Sequence, residues 1–390
     1  MPPPERILIC ALSGRALAQS ARAAGFAPVV LDAFADLDTR GVAESWARVP
    51  VDRSWRLRRG ALLAAARRLA PPPTPLVWGS GFERVPGLLA ELAAGRELLG
   101  NPPATVRALK DPGSWGDALD GLGIPHPEIR LDHPPERSGW LCKRTGAAGG
   151  GHVRSVAARR GPRGRGWYWQ RWARGTPVSA LVLGNGSAAS VLAVGRQLLA
   201  PRPGRRFRFG GLVAPAAISA LAHERLGQAA LAIARSFRLE GLASVDALVA
   251  GDAVQVLEVN PRPGGSLDAY GAALGVDLFG LHVAACRGAP LPDGLAPRMA
   301  AGSLIVYAER GVAVPSSFAW PGWAADRPPP GSAIPAGAPV CTVLAQGVDP
   351  DAVAAALRER GRWVRAALAC ERPPLRYDGG MMTSSVAATR

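Results

Sequence analysis

The strongest constraint on the fold lies at residues 254–268, where an apolar run ends abruptly in a segment rich in Pro and Gly. The run Val-Gln-Val-Leu-Glu-Val-Asn is rich in β-branched residues, which is typical of a buried strand. Because successive side chains of a strand point to opposite faces, Glu258 and Asn260 are predicted to lie side by side on one face. A carboxylate and an amide oxygen at a strand end are hard ligands, which suit a Mg²⁺ ion that bridges phosphates.

The turn after this strand has the composition of a binding site. Pro261 ends the hydrogen-bonded ladder, and Arg262 supplies a planar cation that pairs well with carboxylates and phosphates. Gly264 and Gly265 allow the backbone to approach a ligand closely. The alternative interpretation is a core strand that ends in a polar turn. That alternative is sufficient for Glu-x-Asn alone, whereas the attached Pro-Arg-Pro-Gly-Gly-Ser favours a site.

The size and composition of the chain bound its class. A chain of 390 residues is long enough for two or three domains. Its five cysteines are widely spaced, so the sequence predicts neither a disulfide framework nor a zinc site. The N-terminus has no signal-peptide pattern, and no apolar run reaches the roughly 18 residues that span a membrane. A soluble, cytoplasmic protein without a membrane partner is therefore expected.

The positive charge is concentrated in one block. The formal net charge is +16, and residues 137–223 contain 15 Lys and Arg residues but no Asp or Glu. A region with a single sign of charge attracts anionic ligands. Polyphosphate, an acidic substrate and nucleic acid all satisfy this condition, and charge alone does not choose among them.

Lysine is rare in this chain. Among 46 basic residues, only Lys110 and Lys143 are lysines. A position that keeps lysine is a candidate for a role that needs a compact ammonium on a flexible stem rather than a planar guanidinium. Chance survival is the alternative, and the sequence contexts of the two residues argue against it.

The first hundred residues predict a βαβ arrangement. Strands are predicted at residues 6–10, 28–31 and 76–78, with helices at residues 16–24 and 57–69. Alternating strands and helices favour a parallel sheet. The single Gly14 does not form a dinucleotide fingerprint, so a nicotinamide cofactor is not expected.

The third of these strands runs into Gly79-Ser80-Gly81-Phe82-Glu83. Loops at the ends of parallel strands usually face the ligand, so these residues are candidate substrate contacts. Gly79, Ser80 and Gly81 offer backbone donors to a carboxylate. Glu83 either receives a substrate ammonium group or serves as the N-terminal charge of a helix.

A second candidate loop follows Lys143. Residues 140–143 are predicted to form a strand that enters a glycine-rich loop containing Gly146, Gly149, Gly150, Gly151 and His152. A lysine at the end of a strand can hold phosphate oxygens that are also cradled by the N–H groups of such a loop. His152 contacts phosphate or is only a polar cap of the loop.

The remaining elements are predicted from periodicity and from breaks at Pro and Gly. Further helices are expected in a stretch around Lys110 and at residues 119–127, 221–235, 277–286 and 349–368. Further strands are expected at residues 167–172, 180–183, 190–197, 243–249, 303–307, 320–326 and 334–344, with an arginine-rich loop at 201–211. Asp246 lies within one of these strands, where an unpaired carboxylate is costly. Paired with Glu258 across the intervening turn, Asp246 would complete a metal site.

Several of these residues, taken in chain order, resemble the ATP-grasp ligases: Lys110, Lys143 with its glycine loop, Asp246, Glu258, Asn260 and Arg262. The resemblance covers residues 7–344 and implies an α/β ATP-grasp fold. It implies an N-terminal βαβ pre-grasp domain (1–103), an ATP-grasp domain (104–290) and a small C-terminal β-rich module with a helix (291–370). The tail at 371–390 is predicted to be disordered.

Within this superfamily the chain is similar to predicted carboligases that include the tyramine–glutamate ligase of methanofuran biosynthesis. The motifs at residues 79–83 and 258–268, with Gly264, Gly265 and Ser266 as substrate contacts, carry that similarity. The segment Asp326-x4-Gly331-x2-Ile334-x2-Gly337-x-Pro339 is similar to the one that ends carboxylase-type members.

The resemblance implies a role for each site residue. Asp246, Glu258 and Asn260 would hold Mg²⁺, with Mn²⁺ as an alternative. ATP would be bound by Lys110, Lys143, Gly146, Gly149, Gly150, Gly151, Gln170 and Trp172. Arg262 and Lys143 would act in catalysis, in which a carboxylate is phosphorylated by ATP and an amine displaces the phosphate. One departure is that Gln170 and Val178 replace the acids that many members use to bind adenine and ribose. This departure predicts a different mode of ribose recognition and a less strict preference for adenine.

Two alternatives stay open. A carboxylase would phosphorylate bicarbonate instead, and its acceptor would be a biotinylated or aminoimidazole substrate. A nucleic-acid-binding protein would use the basic block, but strand carboxylates beside that block would repel phosphodiesters, so nucleic acid is not the expected partner. The favoured substrates are a small-molecule carboxylate and an amine, with glutamate and tyramine first. A homodimer is compatible with this interpretation.

Overall fold

The computed structural model describes residues 3–136, 138–155 and 166–369. The tail at 371–390 lies outside these described residues. Within them, no single helix is long and apolar enough to cross a membrane. One pair of helices, Leu267–Leu274 and Leu278–Cys286, passes that test jointly but is bent by 100° at its break.

The N-terminal part is a parallel sheet of five strands in the order β3-β2-β1-β4-β5. Its strands are β1 (Arg6–Cys10), β2 (Ala27–Asp32), β3 (Ser45–Arg48), β4 (Leu76–Trp78) and β5 (Leu98–Leu99). Its helices are α1 (Arg15–Ala23), α2 (Leu37–Val42), α3 (Arg59–Leu69) and α4 (Pro86–Ala93). The predicted parallel sheet is confirmed. The short strands β3 and β5 and the helices α2 and α4 were not predicted, because each is too short to show a period.

The next part is a small antiparallel sheet in the order β6-β9-β7-β8. Its strands are β6 (Ile129–Arg130), β7 (Trp140–Arg144), β8 (Arg154–Ser155) and β9 (Trp167–Arg171), and they follow helices α5 (Pro103–Lys110) and α6 (Pro112–Gly121). The helix predicted at 119–127 is wrong. The side chain of Asp111 caps α6 by accepting from the N–H of Ser114, and the helix ends before Gly123, whose φ is +64°.

The largest sheet has eight strands in the order β14-β13-β10-β11-β12-β15-β19-β17. Its strands are β10 (Thr176–Asn185), β11 (Ala189–Leu199), β12 (Phe209–Ala214), β13 (Glu240–Ala250), β14 (Ala253–Asn260), β15 (Ala300–Tyr307), β17 (Ala324–Ala325) and β19 (Pro339–Gly347). A separate two-stranded pair consists of β16 (Val312–Ala313) and β18 (Ala333–Ile334). The associated helices are α7 (Ala220–Ser236), α8 (Leu267–Leu274), α9 (Leu278–Cys286) and α10 (Pro350–Ala369).

This sheet crosses the predicted domain boundary at residue 290. Strand β12 pairs with β15, so the C-terminal strands extend the sheet of the central part. The strand predicted at 320–326 is reduced to β17, and the strand predicted at 334–344 divides into β18 and β19. The interruption coincides with Gly337, whose φ of +81° is accessible mainly to glycine.

Helices α8 and α9 join the N-terminal sheet to the large one. Tyr270 and Phe279 are fully buried in a core that also contains Ile9 and Val30 of the parallel sheet. The hydroxyl of Tyr270 donates to the backbone oxygen of Ser179 on β10 at 2.6 Å. This packing fixes the turn after β14 between the two sheets, which is where the candidate site lies.

Candidate active site

A β-bulge in β14 gives the candidate site its acidic face. Asp246 of β13 lies opposite Glu258 of β14, whereas the next residue, Ala247, lies opposite Val256, so Leu257 is the extra residue. Because of this extra residue, the side chains before and after the bulge no longer alternate regularly between the two faces of the strand. Val256 and Val259 therefore both pack into the core beneath α7. Glu258 and Asn260 therefore face the cleft. Their shared face was predicted, but the bulge was not, because Leu257 is apolar and continues the run.

Asp246 is held by hydrogen bonds from three side chains. The hydroxyl of Ser179 donates to its Oδ1 at 2.6 Å, and Nδ2 of Asn260 donates to its Oδ2 at 3.1 Å. The side chain of Gln197 also hydrogen-bonds to Asp246. Ser179 lies directly opposite Asp246 in the pairing of β10 with β13. Ser179 could not be predicted as a site residue from the sequence, because it lies 67 residues from Asp246 in the chain.

The two lysines of the chain converge on this acidic face. Nζ of Lys110, at the end of α5, donates to Oδ1 of Asn260 at 3.2 Å and lies 3.7 Å from Oε2 of Glu258. Lys143, on β7, is 7% exposed, and Lys110 is 9% exposed. Two buried ammonium groups at one site of an arginine-rich protein fit the prediction that these positions need lysine.

The electrostatics of the cluster follow from burial and from close charges. Burial raises the pKa of Asp246 above its usual value, and the nearby Glu258 raises it further. Burial also tends to raise the pKa of Glu258, but the charges of Lys110 and Lys143 outweigh that effect and hold this pKa below its usual value. The pKa of Lys143 is lowered, chiefly because the ammonium is buried.

The donor set at this face suits a hard divalent cation. Two carboxylates and one amide, from Asp246, Glu258 and Asn260, present oxygen atoms on adjacent strands. Within the described residues, no three His, Cys, Asp or Glu side chains are grouped so that they could hold a metal ion. A metal here would therefore complete its coordination with substrate oxygens or water, as Mg²⁺ commonly does.

The glycine-rich loop between β7 and β8 lies over the cleft. Gly146, Gly149 and Gly150 all have positive φ angles. A Cβ atom on Gly150 would lie 1.9 Å from the backbone oxygen of Phe207, and one on Gly146 would lie 2.7 Å from that of Glu83. The backbone oxygen of Gly149 accepts from the N–H of Phe209 at 2.9 Å. The loop thus packs against both the N-terminal domain and the arginine-rich loop, and glycine is required for those close approaches.

Glu83 and Arg262 form a buried ion pair across the domain boundary. Nε of Arg262 donates to Oε1 of Glu83 at 2.8 Å, and the two side chains are 8% and 3% exposed. Oε2 of Glu83 accepts from the N–H of Gly81 at 2.8 Å. Arg262 and then Lys110 hold the pKa of Glu83 below its usual value, against the opposing effect of burial. The carboxylate of Glu83 is thus bound by Arg262 and by the N–H of Gly81, and its predicted contact with a substrate ammonium group stays a prediction.

Two backbone N–H groups of the loop from Gly79 to Gly81 form hydrogen bonds within the protein. The N–H of Gly79 donates to the backbone oxygen of Cys10 at 2.8 Å, and the N–H of Gly81 donates to Glu83. Both N–H groups thus have partners within the protein, and the predicted binding of a substrate carboxylate by this loop stays a prediction. Ser80 lines a neighbouring cavity, and the turn of Gly264, Gly265 and Ser266 follows Arg262 at the edge of the cleft.

Gln170 and Trp172 lie at and just beyond the end of β9. Gln170 is 1% exposed, and its Nε2 has no hydrogen-bond partner among the described residues. A buried, unpaired amide is costly unless a ligand satisfies it, so this side chain fits a role in nucleotide binding. Trp172 is 40% exposed, with the guanidinium of Arg174 5.5 Å from the ring centroid.

Two further side chains lie in the cleft. Tyr168, which sequence analysis missed, lies opposite Lys143 in the pairing of β7 with β9. Its pKa is raised by burial and by the charge of Glu258. Burial lowers the pKa of His152 to about 4, and its Nδ1 has no hydrogen-bond partner among the described residues. A neutral His152 therefore faces the cleft with an unsatisfied ring nitrogen.

Comparisons with known proteins concern the central domain and the fold of the chain. Residues 115–266 match the family model described as the ATP-grasp domain. The biotin carboxylase of Campylobacter jejuni, solved as a β-γ-ATP complex, superposes with a TM-score of 0.72 at 15% identity, and the match covers 90% of this chain and 89% of that chain. For the L-amino acid ligase of Bacillus licheniformis the TM-score is 0.66 at 16% identity, covering 92% and 97%.

The pyruvate carboxylase of Rhizobium etli has a TM-score of 0.74 at 15% identity and covers 95% of this chain. The present chain spans only 39% of the length of that enzyme. No curated protein matches the sequence significantly. At these identities the structural likeness is a likeness of fold. The chain thus contains an ATP-grasp domain and has the mixed α/β ATP-grasp fold, as the sequence predicted.

Proposed function

We propose that the protein is an ATP-dependent carboxylate–amine ligase that acts through an acylphosphate. The observation that carries this proposal is the convergence of Lys110, Lys143, Asp246, Glu258 and Asn260 on one face of the cleft beneath the glycine-rich loop. Buried cations and a pair of opposed carboxylates from separate elements fit a site that positions phosphates and balances their charge.

The reaction proceeds in two displacements. A substrate carboxylate oxygen attacks the γ-phosphorus of ATP, the bond from that phosphorus to the bridging oxygen breaks, and ADP leaves. The amine nitrogen then attacks the acyl carbon, the carbon–oxygen bond to phosphate breaks, and the amide forms with loss of a proton. Neither step needs a nucleophilic side chain.

The residues of the chain would hold the reactants and exclude water. Lys110 and Lys143 would neutralise phosphoryl oxygens, because both buried ammonium groups lie near the acidic face beneath the glycine-rich loop. Asp246, Glu258 and Asn260 would hold Mg²⁺ or Mn²⁺, which supplies charge neutralisation on the phosphates when bound. The glycine-rich loop would cover the phosphates with its N–H groups and shield the acylphosphate from hydrolysis.

Arg262 would contact the carboxylate or the transferring phosphoryl group. Its Nε is bound to Glu83 and its Nη1 lies 3.4 Å from the backbone oxygen of Pro263. Among the contacts of the described residues, Nη2 has no hydrogen bond and is the nitrogen available to a substrate. Glu83 would then position the guanidinium rather than bind substrate.

A carboxylase is the second candidate, and the likeness to a biotin carboxylase and a pyruvate carboxylase favours it. In that case bicarbonate is the phosphorylated acid. The likeness to an L-amino acid ligase supports amide formation equally well. The substrates proposed first are glutamate and tyramine, because the basic block favours an acid that carries a second carboxylate.

The test is ADP release from Mg-ATP, screened over pairs of carboxylic acids and amines and over bicarbonate. The ligase is supported if an acid and an amine together release more ADP than either one alone. Stimulation by bicarbonate without an amine would replace the ligase with the carboxylase. If no addition exceeds the rate with ATP alone, and Mg-ATP does not bind, the proposal is wrong.

A further inference from the structure

A cavity of about 500 Å³ lies beside the candidate site. Its walls come from the N-terminal domain, the glycine-rich loop, the arginine-rich loop and the C-terminal strands. Glu83 and His152 line it, and both residues interact electrostatically with the Lys110 cluster. The cavity therefore lies beside the place where phosphates and a reacting carboxylate are proposed to bind, and the glycine-rich loop borders both.

The charge of this cavity is almost entirely positive. Seven arginines line it, and Glu83 is its one acidic residue among the described part of the chain. Glu83 is already paired with Arg262. Of the seven arginines, Arg56 alone has a described carboxylate within 4.0 Å, which is Asp52. The walls thus present several guanidinium groups without acidic partners, an arrangement that favours a ligand with more than one negative charge.

These arginines come from two parts of the chain. Arg84 belongs to the loop after β4, and Arg144 ends β7 next to the glycine-rich loop. Arg205 and Arg208 belong to the arginine-rich loop, and Arg208 donates to two backbone oxygens at 2.8 and 3.2 Å. A ligand in the cavity can therefore place one anionic group against each pair.

An aromatic surface completes the cavity. Phe34 and Trp55 both line it, and their ring centroids are 5.9 Å apart. Trp55 is 43% exposed and has a φ of +58°, a conformation that a non-glycine residue adopts at a cost. A strained backbone that holds a large aromatic ring at the rim of a cavity is a feature associated with ligand binding.

We propose that one of the two molecules joined by the enzyme carries an aromatic ring and at least two anionic groups, carboxylate or phosphate, and that it binds in this cavity. The proposal rests on the proposed ligase and replaces the pair of glutamate and tyramine with a narrower substrate class, because glutamate has no ring and tyramine has no anionic group. Ligand cavities of roughly 300–1,000 Å³ enclose molecules much larger than a free amino acid. The ring lies against Trp55, one anion lies against Arg84 and Arg144, and the other lies against Arg205 and Arg208.

The test is calorimetric titration of the full-length protein with matched probes. Trimesate carries a ring and three carboxylates, tricarballylate carries three carboxylates without a ring, and benzoate carries a ring with one carboxylate. Phenyl phosphate tests phosphate as the anion. We expect trimesate to bind about tenfold more tightly than benzoate, as the loss of charge-assisted hydrogen bonds implies. We expect tricarballylate to bind a few-fold more weakly than trimesate, because it cannot stack on Trp55.

Variants localise the binding. Arg84→Gln should weaken trimesate about tenfold, and Trp55→Leu should remove its advantage over tricarballylate. Arg206→Gln is the matched control, because Arg206 is an exposed arginine of the same loop as Arg205 but does not line the cavity. A thermal melt of each variant shows whether it is folded. The proposal would be overturned if Arg206→Gln lost as much affinity for trimesate as Arg84→Gln does. It would also be overturned if benzoate bound as tightly as trimesate, or if trimesate did not bind to the folded wild-type protein.

The titrations are repeated with saturating Mg²⁺ and the non-hydrolysable ATP analogue AMPPNP. Undiminished trimesate binding would place the probe outside the nucleotide site, as proposed. Displacement of trimesate by AMPPNP would assign the cavity to the nucleotide and overturn the inference. Failure of AMPPNP itself to bind would contradict the ligase instead, so the two failures are distinguishable.

Discussion

Nε of Arg262 donates a 2.8 Å hydrogen bond to Oε1 of Glu83, although the two residues are 179 positions apart. One belongs to the turn after β14 and the other to the loop after β4, so the pair joins the large sheet to the parallel sheet. Both side chains are buried, and each has a further backbone contact. The pair therefore sets the position of Arg262 relative to the acidic face formed by Asp246 and Glu258.

The first prediction concerns this ion pair. Glu83→Gln leaves the Arg262 guanidinium buried without a counter-charge and should lower the free energy of unfolding by about 3 kcal/mol. The double variant Glu83→Gln/Arg262→Met removes the unpaired charge and should recover at least half of that loss. Urea denaturation measures both. Glu91→Gln, which breaks the exposed pair with Arg59, is the control and should leave the free energy of unfolding almost unchanged, because exposed ion pairs are screened by solvent.

The same double variant separates stability from chemistry. If Arg262 contacts substrate, the double variant should be folded and yet fail to release ADP in response to the substrates. Recovery of activity together with stability would show that Arg262 is only structural.

A second prediction concerns the acidic face. Glu258→Gln keeps the shape of the side chain but removes a charge that lies 3.7 Å from Lys110. We expect ADP formation to fall at least a hundredfold, because a neutral amide is a much weaker ligand for Mg²⁺ than a carboxylate. The circular dichroism spectrum should be unchanged. Glu359→Gln, at an exposed position of α10, is the control. An unfolded Glu258→Gln protein, or one with full activity, would contradict the metal assignment.

A third prediction concerns Lys143. Its ammonium is buried, and Tyr168 lies opposite it on the neighbouring strand. Lys143→Arg places a larger, planar cation in that space, so Mg-ATP affinity and turnover should each fall at least tenfold. Arg130→Lys, on β6 of the same sheet, makes the reverse exchange at an exposed position and should have no effect. Wild-type behaviour of Lys143→Arg would mean that the rarity of lysine has no bearing on the site.

A fourth prediction is a dependence of stability on pH. His282 is fully buried, its Nδ1 accepts from the N–H of Leu242 at 2.8 Å, and Nε2 lies 3.2 Å from the backbone oxygen of Leu99. These partners require a neutral ring protonated at Nε2, and burial lowers the pKa of His282 to about 4. Between pH 6.5 and pH 4 the unfolded state therefore binds more protons, so stability falls as the pH is lowered. The contribution over this window is about 3 kcal/mol.

Denaturant titrations at several pH values measure this effect. His282→Gln should be less stable at pH 7 but should show a shallower loss of stability between pH 6.5 and pH 4. His223→Gln, at an exposed position of α7, should follow the wild-type profile. Equal slopes in all three proteins would exclude His282 as the source.

The grouping of the candidate site residues could be predicted from the sequence, because it depends on residue types and their order, whereas the roles of these residues stay predictions. Lys110, Lys143, Asp246, Glu258 and Asn260 stand in uncommon contexts, and alternation along β14 places the last two on one face. The bulge at Leu257 could not be predicted, because an apolar residue continues the pattern of the run. It is nevertheless the bulge that allows Val256 and Val259 to be buried on the same side.

Contacts between distant segments could not be predicted either. Glu83 follows the end of a strand, a position that fits several roles. Nothing in the neighbouring sequence indicates that Arg262 forms an ion pair with its carboxylate. The arginines of the cavity come from the N-terminal domain as well as from the basic block at residues 137–223. The charge of that block alone therefore could not predict the cavity. Strand β12 is short and contains two adjacent glycines, and its pairing with β15 depends on tertiary structure.

The last prediction concerns the glycine-rich loop and uses two of its own residues as a matched pair. Gly149 and Gly150 have similar φ angles of +74° and +66°, so alanine at either position adds a similar backbone strain. They differ in their surroundings, because a Cβ atom on Gly150 would lie 1.9 Å from the backbone oxygen of Phe207, whereas one on Gly149 would meet nothing within 4 Å. Gly150→Ala must therefore displace the loop from the arginine-rich loop, and Gly149→Ala need not. We expect Gly150→Ala to lower turnover at least tenfold and to raise the ratio of ADP released to amide formed, because a displaced loop admits water to the acylphosphate. Gly149→Ala should retain both values within about threefold. The same ratio of ADP to amide in both variants would mean that the loop does not exclude water from the site.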